Sequence, residues 1–283
     1  MVHDPVEAFA APKPPSLAED VSDALKEKAS LPLTTATILG VVAGAYIAFG
    51  ALFATIALAG GDALPHGLSQ ILAGLVFVLG LVLVIVAGAE LFTGNTLMAG
   101  LLIARRLKLR EMLAAWGVAY LANLAGALLI AILVLVSEVH LAGDGAVGHA
   151  ALKLAETKGA PGFLPAFASG VLANMLVCLA VWMSYGAKSV ADKVFAILLP
   201  ISAFVAAGLE HSVANMYLIP YGWMIKSFAD VQFWQTAGIT AGSFPSISVA
   251  GFIGNLIPVT LGNIVGGFLI ATAYALAYLR KQD

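Results

Sequence analysis

Six long apolar stretches decide what this chain can fold into. A helix needs about 20 largely apolar residues to cross the hydrocarbon core of a bilayer, because it rises 1.5 Å per residue. The stretches lie at about 34–59, 70–103, 112–136, 162–185, 194–218 and 252–279. They are continuous and rich in Ala, Leu and Gly, whereas the strands of a membrane β-barrel are segments of about ten residues with alternating polarity. The sequence therefore predicts six transmembrane helices.

The composition excludes the soluble classes. Of the 283 residues, 61% are hydrophobic and 11% are charged, against roughly 25% charged residues in an average soluble domain. A soluble enzyme of this length would need more charged side chains to cover its surface. The high apolar content and the single cysteine exclude disordered and disulfide-stapled classes. An all-α membrane protein remains.

The cations predict the orientation of the spans. Six spans place both termini on one side, and only three of the fourteen Lys and Arg residues (Lys153, Lys158 and Lys226) fall in the loops of the opposite side. The other eleven are Lys13, Lys26, Lys28, Arg105, Arg106, Lys108, Arg110, Lys188, Lys193, Arg280 and Lys281. Since positive charge concentrates in cytoplasmic loops, both termini are expected to be cytoplasmic.

The chain divides into an N-terminal segment at 1–33, a six-span channel domain at 34–279 and a short cytoplasmic tail at 280–283. The N-terminal segment lacks the basic and apolar regions of a cleavable signal peptide. Ser16 to Glu19 fits a capping box, and Leu17, Val21 and Leu25 follow at helical spacing. This pattern predicts an amphipathic helix, either on the inner membrane surface or as a solvated leader without function.

The first three spans resemble the last three. The frame Glu-x4-Asn occurs at 90–95 and 210–215, Leu-x-Asn-x-x-Gly at 121–126 and 261–266, and the weaker Gly-Val-x-Ala at 40–43 and 170–173. An odd number of spans per repeat gives the two halves opposite orientations in the bilayer. Inverted 3+3 repeats are typical of transporters and channels whose substrate path lies near the midplane.

The repeat also contains the ionisable residues of the spans, Glu90, Glu210 and His211. Such residues are costly inside a membrane and usually functional. Gly, Ser, Thr and Asn neighbours predict that helices 2 and 5 are interrupted there, with half-helix N-termini that favour an anion. We expect the two glutamates to hold the broken backbone, because ionised carboxylates lining a pore would repel that anion. His211 is either a pore residue or a satisfied structural histidine.

Asparagines and glycines near the breaks have simpler expected roles. Asn95 and Asn215 belong to the repeated frame beside the breaks. Asn123, Asn174 and Asn263 are expected to form hydrogen bonds between helices. Two small-residue pairs predict close helix contacts first and oligomer contacts second; they are Gly40 with Gly44, and Gly262 with Gly266.

A membrane enzyme and a receptor or scaffold both fit this sequence less well than a transporter does. A membrane enzyme would need a ligand cluster or a nucleophile–base pair in the spans, and a single intramembrane histidine disfavours a multi-histidine metal site. A receptor or scaffold would more naturally carry a soluble domain, and the longest loops have about 33 residues. We therefore expect no enzyme activity, no metal or cofactor and no nucleic-acid partner.

Four segments resemble the signature segments of the formate/nitrite transporter family. They are AELFTGN at 89–95, ANMLVCLAVWMSY at 173–185, GLEHSVANM at 208–216 and NLIPVTLGNIVGG at 255–267. The resemblance implies an aquaporin-like protomer, a homo-pentamer with one pore in each protomer, and the inner membrane of a bacterium. It implies passage of a small monovalent anion, most of all formate, with either pH-dependent gating of a channel or coupling to protons. Nitrite, hydrosulfide or a short-chain monocarboxylate is the alternative cargo. The two Asn-Pro-Ala motifs of aquaporins are absent, which disfavours water conduction.

The resemblance also implies roles for individual residues. His211 matches the central pore histidine, Thr93 its partner on the loop of span 2, and Asn174 the span 4 asparagine near that histidine. Lys158 matches a vestibule lysine that attracts anions, although the residues around it depart from the formate-channel pattern. The anion would cross as a neutral acid, with either water or His211 as the proton donor.

Four apolar residues match the constrictions of the family. Leu81 and Leu91 match the cytoplasmic constriction, and Phe77 and Phe204 match the outer one.

Overall fold

The computed structural model describes residues 10–60 and 64–279, and every regular element in these ranges is a helix. The α-helices are α1 (Pro14–Ala29), α2 (Leu33–Leu58), α3 (His66–Ala87), α4 (Phe92–Asn95), α5 (Ala99–Ile103), α6 (Leu109–Val136), α7 (Ala146–Gly159), α8 (Phe163–Tyr185), α9 (Val190–Ala206), α10 (Ser212–Phe228), α11 (Val231–Ala237) and α12 (Val249–Tyr274). Short 3₁₀ helices lie at Thr96–Met98, Val139–Leu141 and Ala241–Ser243, and a π-helical turn at Ala275–Leu279 follows α12. The predicted tail at 280–283 lies outside the described residues.

Five helices of the described chain are long and apolar enough to cross a membrane, so this is a multi-pass membrane protein. They are α2, α3, α6, α8 and α12 with its π-helical extension. The sixth predicted stretch, 194–218, is divided between α9 and α10, each of 17 residues. Its predicted end was wrong, because α10 continues to Phe228 through Pro220 and Lys226, which lower the local hydropathy.

A glycine in the left-handed region of backbone conformation lies at the start of each helix break. Gly88 (φ 78°) ends α3 and Gly208 (φ 67°) follows α9. This conformation strains residues that carry a Cβ atom, so glycine permits the abrupt turn. Extended residues follow each glycine, and helical structure resumes at Phe92 and at Ser212. The chain is therefore interrupted at 88–91 and at 207–211, where the sequence predicts breaks.

Close glycine contacts build the same helix pair in each half. A Cβ atom at Gly44 of α2 would lie 2.0 Å from the Asn123 carbonyl oxygen of α6. In the other half, a Cβ atom at Gly262 of α12 would lie 2.2 Å from the Phe167 carbonyl oxygen of α8. A Cβ atom at Gly40 would lie 2.5 Å from Ala122 Cβ, and one at Gly266 would lie 2.3 Å from the Val171 carbonyl oxygen. The predicted helix contacts at both glycine pairs are confirmed, and only glycine lets these backbones approach so closely.

The N-terminal helix starts earlier than the capping box predicts. It begins at Pro14, and the Ser16 hydroxyl donates to the carbonyl of Lys13 instead of capping the helix. The capping-box prediction was therefore wrong, because the proline pair occupies the first turn, where a missing N–H costs nothing. Val21 and Leu25 are buried as part of the protein core. The apolar face of α1 is therefore covered by protein, contrary to the expectation that it lies on the membrane surface.

An ion pair on the polar side of α1 adds to this docking. Arg106, in the loop between α5 and α6, donates to both carboxylate oxygens of Glu19 and to the Ser22 hydroxyl. These hydrogen bonds hold the pKa of Glu19 below its usual value.

Candidate functional site

The break after α3 is organised around the buried side chain of Glu90. Its carboxylate accepts hydrogen bonds from the Lys28 ammonium of α1 and from Asn95 Nδ2, the latter at 3.0 Å. Asn123 of α6 binds the broken backbone directly. Its Nδ2 donates to the carbonyls of Gly40 (2.8 Å) and Glu90 (2.9 Å), and its Oδ1 accepts from the Phe92 N–H (2.9 Å).

The break after α9 repeats these contacts around Glu210. Its carboxylate accepts from the Lys158 ammonium (2.8 Å) and from Asn215 Nδ2 (2.6 Å). Asn263 of α12 donates to the carbonyls of Gly170 (2.8 Å) and Glu210 (3.0 Å). Its Oδ1 accepts from the backbone N–H of Ser212 (2.9 Å). The two centres therefore share one pattern of ion pair, asparagine partner and backbone-binding asparagine.

This geometry corrects one expectation about the glutamates. The carboxylates of Glu90 and Glu210 bind lysine and asparagine side chains, while the backbone at each break is bound by Asn123 or Asn263. The charged groups are therefore satisfied by a paired cation, which is what makes a buried carboxylate tolerable.

Sequence reasoning missed Lys28 as the partner of Glu90. A signal for it exists, because Lys158 lies 130 positions after Lys28, the same spacing that separates Gly170 from Gly40. Each lysine also lies five residues before the first residue of the long helix that follows it, Leu33 of α2 or Phe163 of α8. The helices α1 and α7 thus each supply the lysine of one centre.

His211 and Thr93 meet between the two breaks, 118 positions apart in sequence. The backbone N–H of Ala214 donates to His211 Nδ1 at 3.1 Å, so this nitrogen carries no hydrogen. A neutral ring then has its hydrogen on Nε2, which lies 2.8 Å from Thr93 Oγ1 and donates to it. Both side chains are buried. The ring is therefore fixed in one tautomer by its position as the N-cap of α10.

Asn174 holds the other side of the Thr93 segment. Its Nδ2 lies within hydrogen-bond distance of the Thr93 carbonyl (3.3 Å), Thr96 Oγ1 (2.9 Å) and the Asn263 carbonyl (2.6 Å). This asparagine connects α8 with both the first break and α12, and so positions the residue that contacts His211.

A cavity of about 80 Å³ reaches His211 from the Lys158 side. Gln70, Lys158 and Leu154 line it together with two phenylalanines of the predicted outer constriction. The rings of Phe77 and Phe204 meet edge to face with centroids 5.4 Å apart. The centroid of Phe204 lies 5.8 Å from that of His211. The structure thus brings the histidine, the lysine and this aromatic pair together around one space.

A smaller cavity of about 20 Å³ lies at the Lys28 side of the breaks. Leu81 and Leu91, the residues of the predicted cytoplasmic constriction, line it with Asn95. Leu25 and Lys28 of α1 and Tyr185 of α8 line it as well, and sequence reasoning assigned none of these three to the site. The N-terminal helix therefore forms part of the wall of this cavity.

Comparison with known proteins decides the family. The family model described as Formate/nitrite transporter matches residues 15–277. The chain is 40% identical over 247 residues to the formate channel FocA of Escherichia coli (strain K12), covering 87% of each chain. It is 42% identical over 243 residues to FocA of Haemophilus influenzae, covering 86% of this chain and 85% of that one.

The chain belongs to the formate/nitrite transporter family.

A solved structure agrees with this assignment. The structure titled "Pentameric formate channel with formate bound" superposes with a TM-score of 0.82 at 36% identity and covers 88% of this chain and 98% of that one. The members of the formate/nitrite transporter family found here are channels or transporters, and the chain is therefore not an enzyme. Among residues 10–60 and 64–279, no three His, Cys, Asp or Glu side chains are grouped so that they could hold a metal ion.

Proposed function

We propose that this protein conducts a small monovalent anion, most of all formate, through a separate pore in each protomer of a homo-pentamer. The observation that carries the proposal is the buried hydrogen bond between His211 and Thr93, which lies between a cavity lined by Lys158 and a cavity lined by Lys28. The pentameric formate channel to which the chain is similar supports the assembly and the substrate. Nitrite, hydrosulfide or a short-chain monocarboxylate is the alternative cargo.

The proposed architecture has six spans in an inverted 3+3 arrangement, as in aquaporins. The fifth span is α9 together with α10, and the second is α3 together with 92–103. The matching contacts of the Glu90 and Glu210 centres support this arrangement, because an inverted repeat places equivalent residues on opposite sides of the midplane. Residues 1–33 form the N-terminal segment, 34–279 the channel domain and 280–283 the tail.

The charge distribution supports an orientation in the inner membrane of a bacterium. The eleven cations of the termini and of the two loops on that side lie in the cytoplasm. In this orientation α1 and the Lys28 cavity face the cytoplasm, and Lys158 faces the outside.

The proposed path follows the residues around the two cavities. An anion is attracted to Lys158, passes the ring of Phe77 and Phe204, and meets His211 and Thr93. It then passes Leu81 and Leu91 into the Lys28 cavity. The apolar side chains of the two constrictions solvate an ionised carboxylate poorly. We therefore infer that the anion takes up a proton before it passes them.

The hydrogen bonds of His211 favour water over the histidine as the source of that proton. Nδ1 accepts a backbone hydrogen bond from Ala214, so the ring can hold a second proton only if this bond breaks. A neutral imidazole that released its Nε2 hydrogen would become an anion, which is unfavourable in a buried site. His211 and Thr93 therefore act as hydrogen-bond partners of the passing acid, and the proton comes from water in the cavity.

Formate flux into proteoliposomes tests this proposal. We expect the wild-type protein to take up formate faster when an inward proton gradient is imposed. Nitrite and acetate should inhibit this uptake to the extent that each fits the constrictions of the path. The variant His211→Phe should lower the flux, because the passing acid loses a hydrogen-bond partner, while the remaining flux keeps its proton dependence, since water supplies the proton. Flux that ignores the gradient would contradict proton uptake, unchanged flux in the variant would deny His211 a place on the path, and absence of flux for any small monoacid would refute transport.

A paired variant tests the role of Lys158. The single change Lys158→Ala would leave the Glu210 carboxylate without its cation, whereas Lys158→Gln combined with Glu210→Gln keeps a neutral pair able to hydrogen bond. If Lys158 attracts the anion, the paired variant should have a higher apparent KM and a weaker dependence on ionic strength than the wild type. An unchanged KM in the paired variant, with Lys188→Gln as the control, would remove the steering role.

A further inference from the structure

A groove with a volume of about 440 Å³ lies between α2 and α6, outside both cavities of the proposed pore. Its basic end consists of Lys28, Lys108 and Arg110. Its remaining lining is mainly apolar and comprises Ala29, Leu31, Leu33, Ala36, Ala114, Ala115 and Val118. Val118 lies eight residues beyond Arg110 in α6, so the groove extends roughly 12 Å along the helix away from its basic end.

The charge of the groove is positive. Glu111 is the one carboxylate in its lining, and its Oε2 accepts the backbone N–H of Lys108 at 3.1 Å in the first turn of α6. Lys108 and Arg110 are exposed, and the Lys108 ammonium lies 3.9 Å from Glu111 Oε1 in an exposed pair that contributes little. Within the described parts of the chain, the Arg110 guanidinium has no ion pair with a carboxylate. The basic end is therefore open to an anionic group.

The groove lies where a bilayer changes from headgroups to acyl chains. Lys108 and Arg110 belong to the loop and the first turn at the start of α6, and Lys28 belongs to the last turn of α1. The apolar lining begins at the end of α1 and continues along spans α2 and α6. Leu33, Leu109 and Leu113 around it are exposed, as residues facing lipid are. Basic pockets between transmembrane helices on the cytoplasmic side suit the headgroups of anionic lipids.

We propose that this groove binds one anionic phospholipid, with its phosphate between Lys108 and Arg110 and an acyl chain along the alanine-lined surface of α2 and α6. Lys28 lies at the same end and pairs with Glu90, so the bound headgroup adjoins the contact that joins α1 to the first helix break. The proposal depends on the membrane location of the protein and not on which anion it transports.

Native mass spectrometry of the full-length protein tests the site. The protein is titrated with phosphatidylglycerol and, in parallel, with phosphatidylcholine. The variant pair is Lys108→Gln with Arg110→Gln, and the matched control is Lys188→Gln with Lys193→Gln, which removes the same charge from the α8–α9 loop and the first turn of α9. We expect wild-type and control to retain phosphatidylglycerol in preference, and the K108Q/R110Q protein to bind it at least about tenfold more weakly, since each cation near an anionic headgroup contributes on the order of 1 kcal/mol.

Two further arms identify other occupants. If inorganic phosphate displaces phosphatidylglycerol from the wild-type protein at a concentration equal to that of the lipid, the acyl chain adds nothing to binding. The groove is then an anion site, and the lipid proposal fails. If K108Q/R110Q changes the number of subunits in the assembly, the groove is an interface between copies of the chain. Equal retention of phosphatidylglycerol by the K108Q/R110Q protein and the control also overturns the proposal.

Discussion

Compare the break after α3 with the break after α9. In each, a buried glutamate pairs with a lysine from a preceding short helix, and an asparagine five residues later donates to the carboxylate. The residue directly after the glutamate differs, since it is Leu91 in the first half and His211 in the second. The common scaffold thus holds two broken helices, and one changed position makes one break apolar and the other able to form hydrogen bonds.

The second break is also the more extensively bonded one. Asn255 Nδ2 donates to the Glu210 carboxylate (3.1 Å) and to the Lys158 carbonyl (2.7 Å), and its Oδ1 accepts from Asn215 (2.7 Å). The helix that follows this break, α10, has 17 residues. After the first break the chain forms α4, a 3₁₀ helix and α5, of four, three and five residues. The histidine therefore sits on the better supported half-helix.

The largest difference between the halves should appear when the glutamates are neutralised. Glu210→Gln leaves the Lys158 ammonium with 12% exposure of its side chain, whereas Glu90→Gln leaves Lys28 with 28% exposure. We expect a loss of about 3 kcal/mol in stability for Glu210→Gln and about half of that for Glu90→Gln, since a buried charge without its partner is costly. Unfolding of the purified proteins in one detergent measures both, with exposed Glu111→Gln as the control. Equal losses would mean that the two centres have the same electrostatic environment.

Replacing Asn255 should make the second centre resemble the first. Asn255→Ala removes the hydrogen bonds to Glu210 and to the Lys158 carbonyl, and we expect it to cost about 2 kcal/mol, since one partner is a charged group. A double-mutant cycle with Glu210→Gln measures the coupling between the two side chains. Additive losses in the cycle would show that Asn255 does not support the ion pair.

A substitution at Thr93 tests the hydrogen bond between Thr93 and His211, which joins the two halves of the chain. Thr93→Val keeps the shape of the side chain and gives the first half the residue that the second has at the corresponding position, Val213. We expect formate flux to fall about two- to tenfold, because one hydrogen bond to His211 is lost. Thr272→Val is a matched control, since the Thr272 hydroxyl is buried without a hydrogen-bond partner in the described residues. A fall of the same size in the control would deny Thr93 a specific role.

The smallest effect should come from the ion pair between Arg106 and Glu19 that holds α1. Hydrogen bonds from Arg106 lower the pKa of Glu19 below 4.5, so the pair stabilises docking fully above that pH and loses its contribution as the pH falls through the lowered pKa. The protection factors of the α1 amides against hydrogen exchange should therefore be unchanged between about pH 5 and 8 and fall below it by no more than roughly fivefold, as for an exposed pair. Glu19→Gln should remove this step, and a step near neutral pH would assign it to another group.

The sequence reveals the breaks well because their signals are local. Glu-x4-Asn and the following Leu-x-Asn-x-x-Gly predict both broken helices, and the glycine pairs predict the helix contacts. Lys28 and Asn255 were missed because their partners lie 62 and 45 positions away. The end of α10 was misplaced because Pro220 and Lys226 resemble a loop in hydropathy alone. The roles assigned to the pore residues remain predictions.

The contacts of α1 have a consequence for how the chain is assembled. This helix precedes the spans in the chain, yet it packs against α5, α6, α8 and the π-helical turn Ala275–Leu279 that follows α12. Its binding surface is therefore incomplete until α12 has been synthesised and has entered the bilayer. The helix α1 is thus made before the spans but reaches its final position only after α12, and until then Glu90 lacks its partner Lys28 inside the membrane.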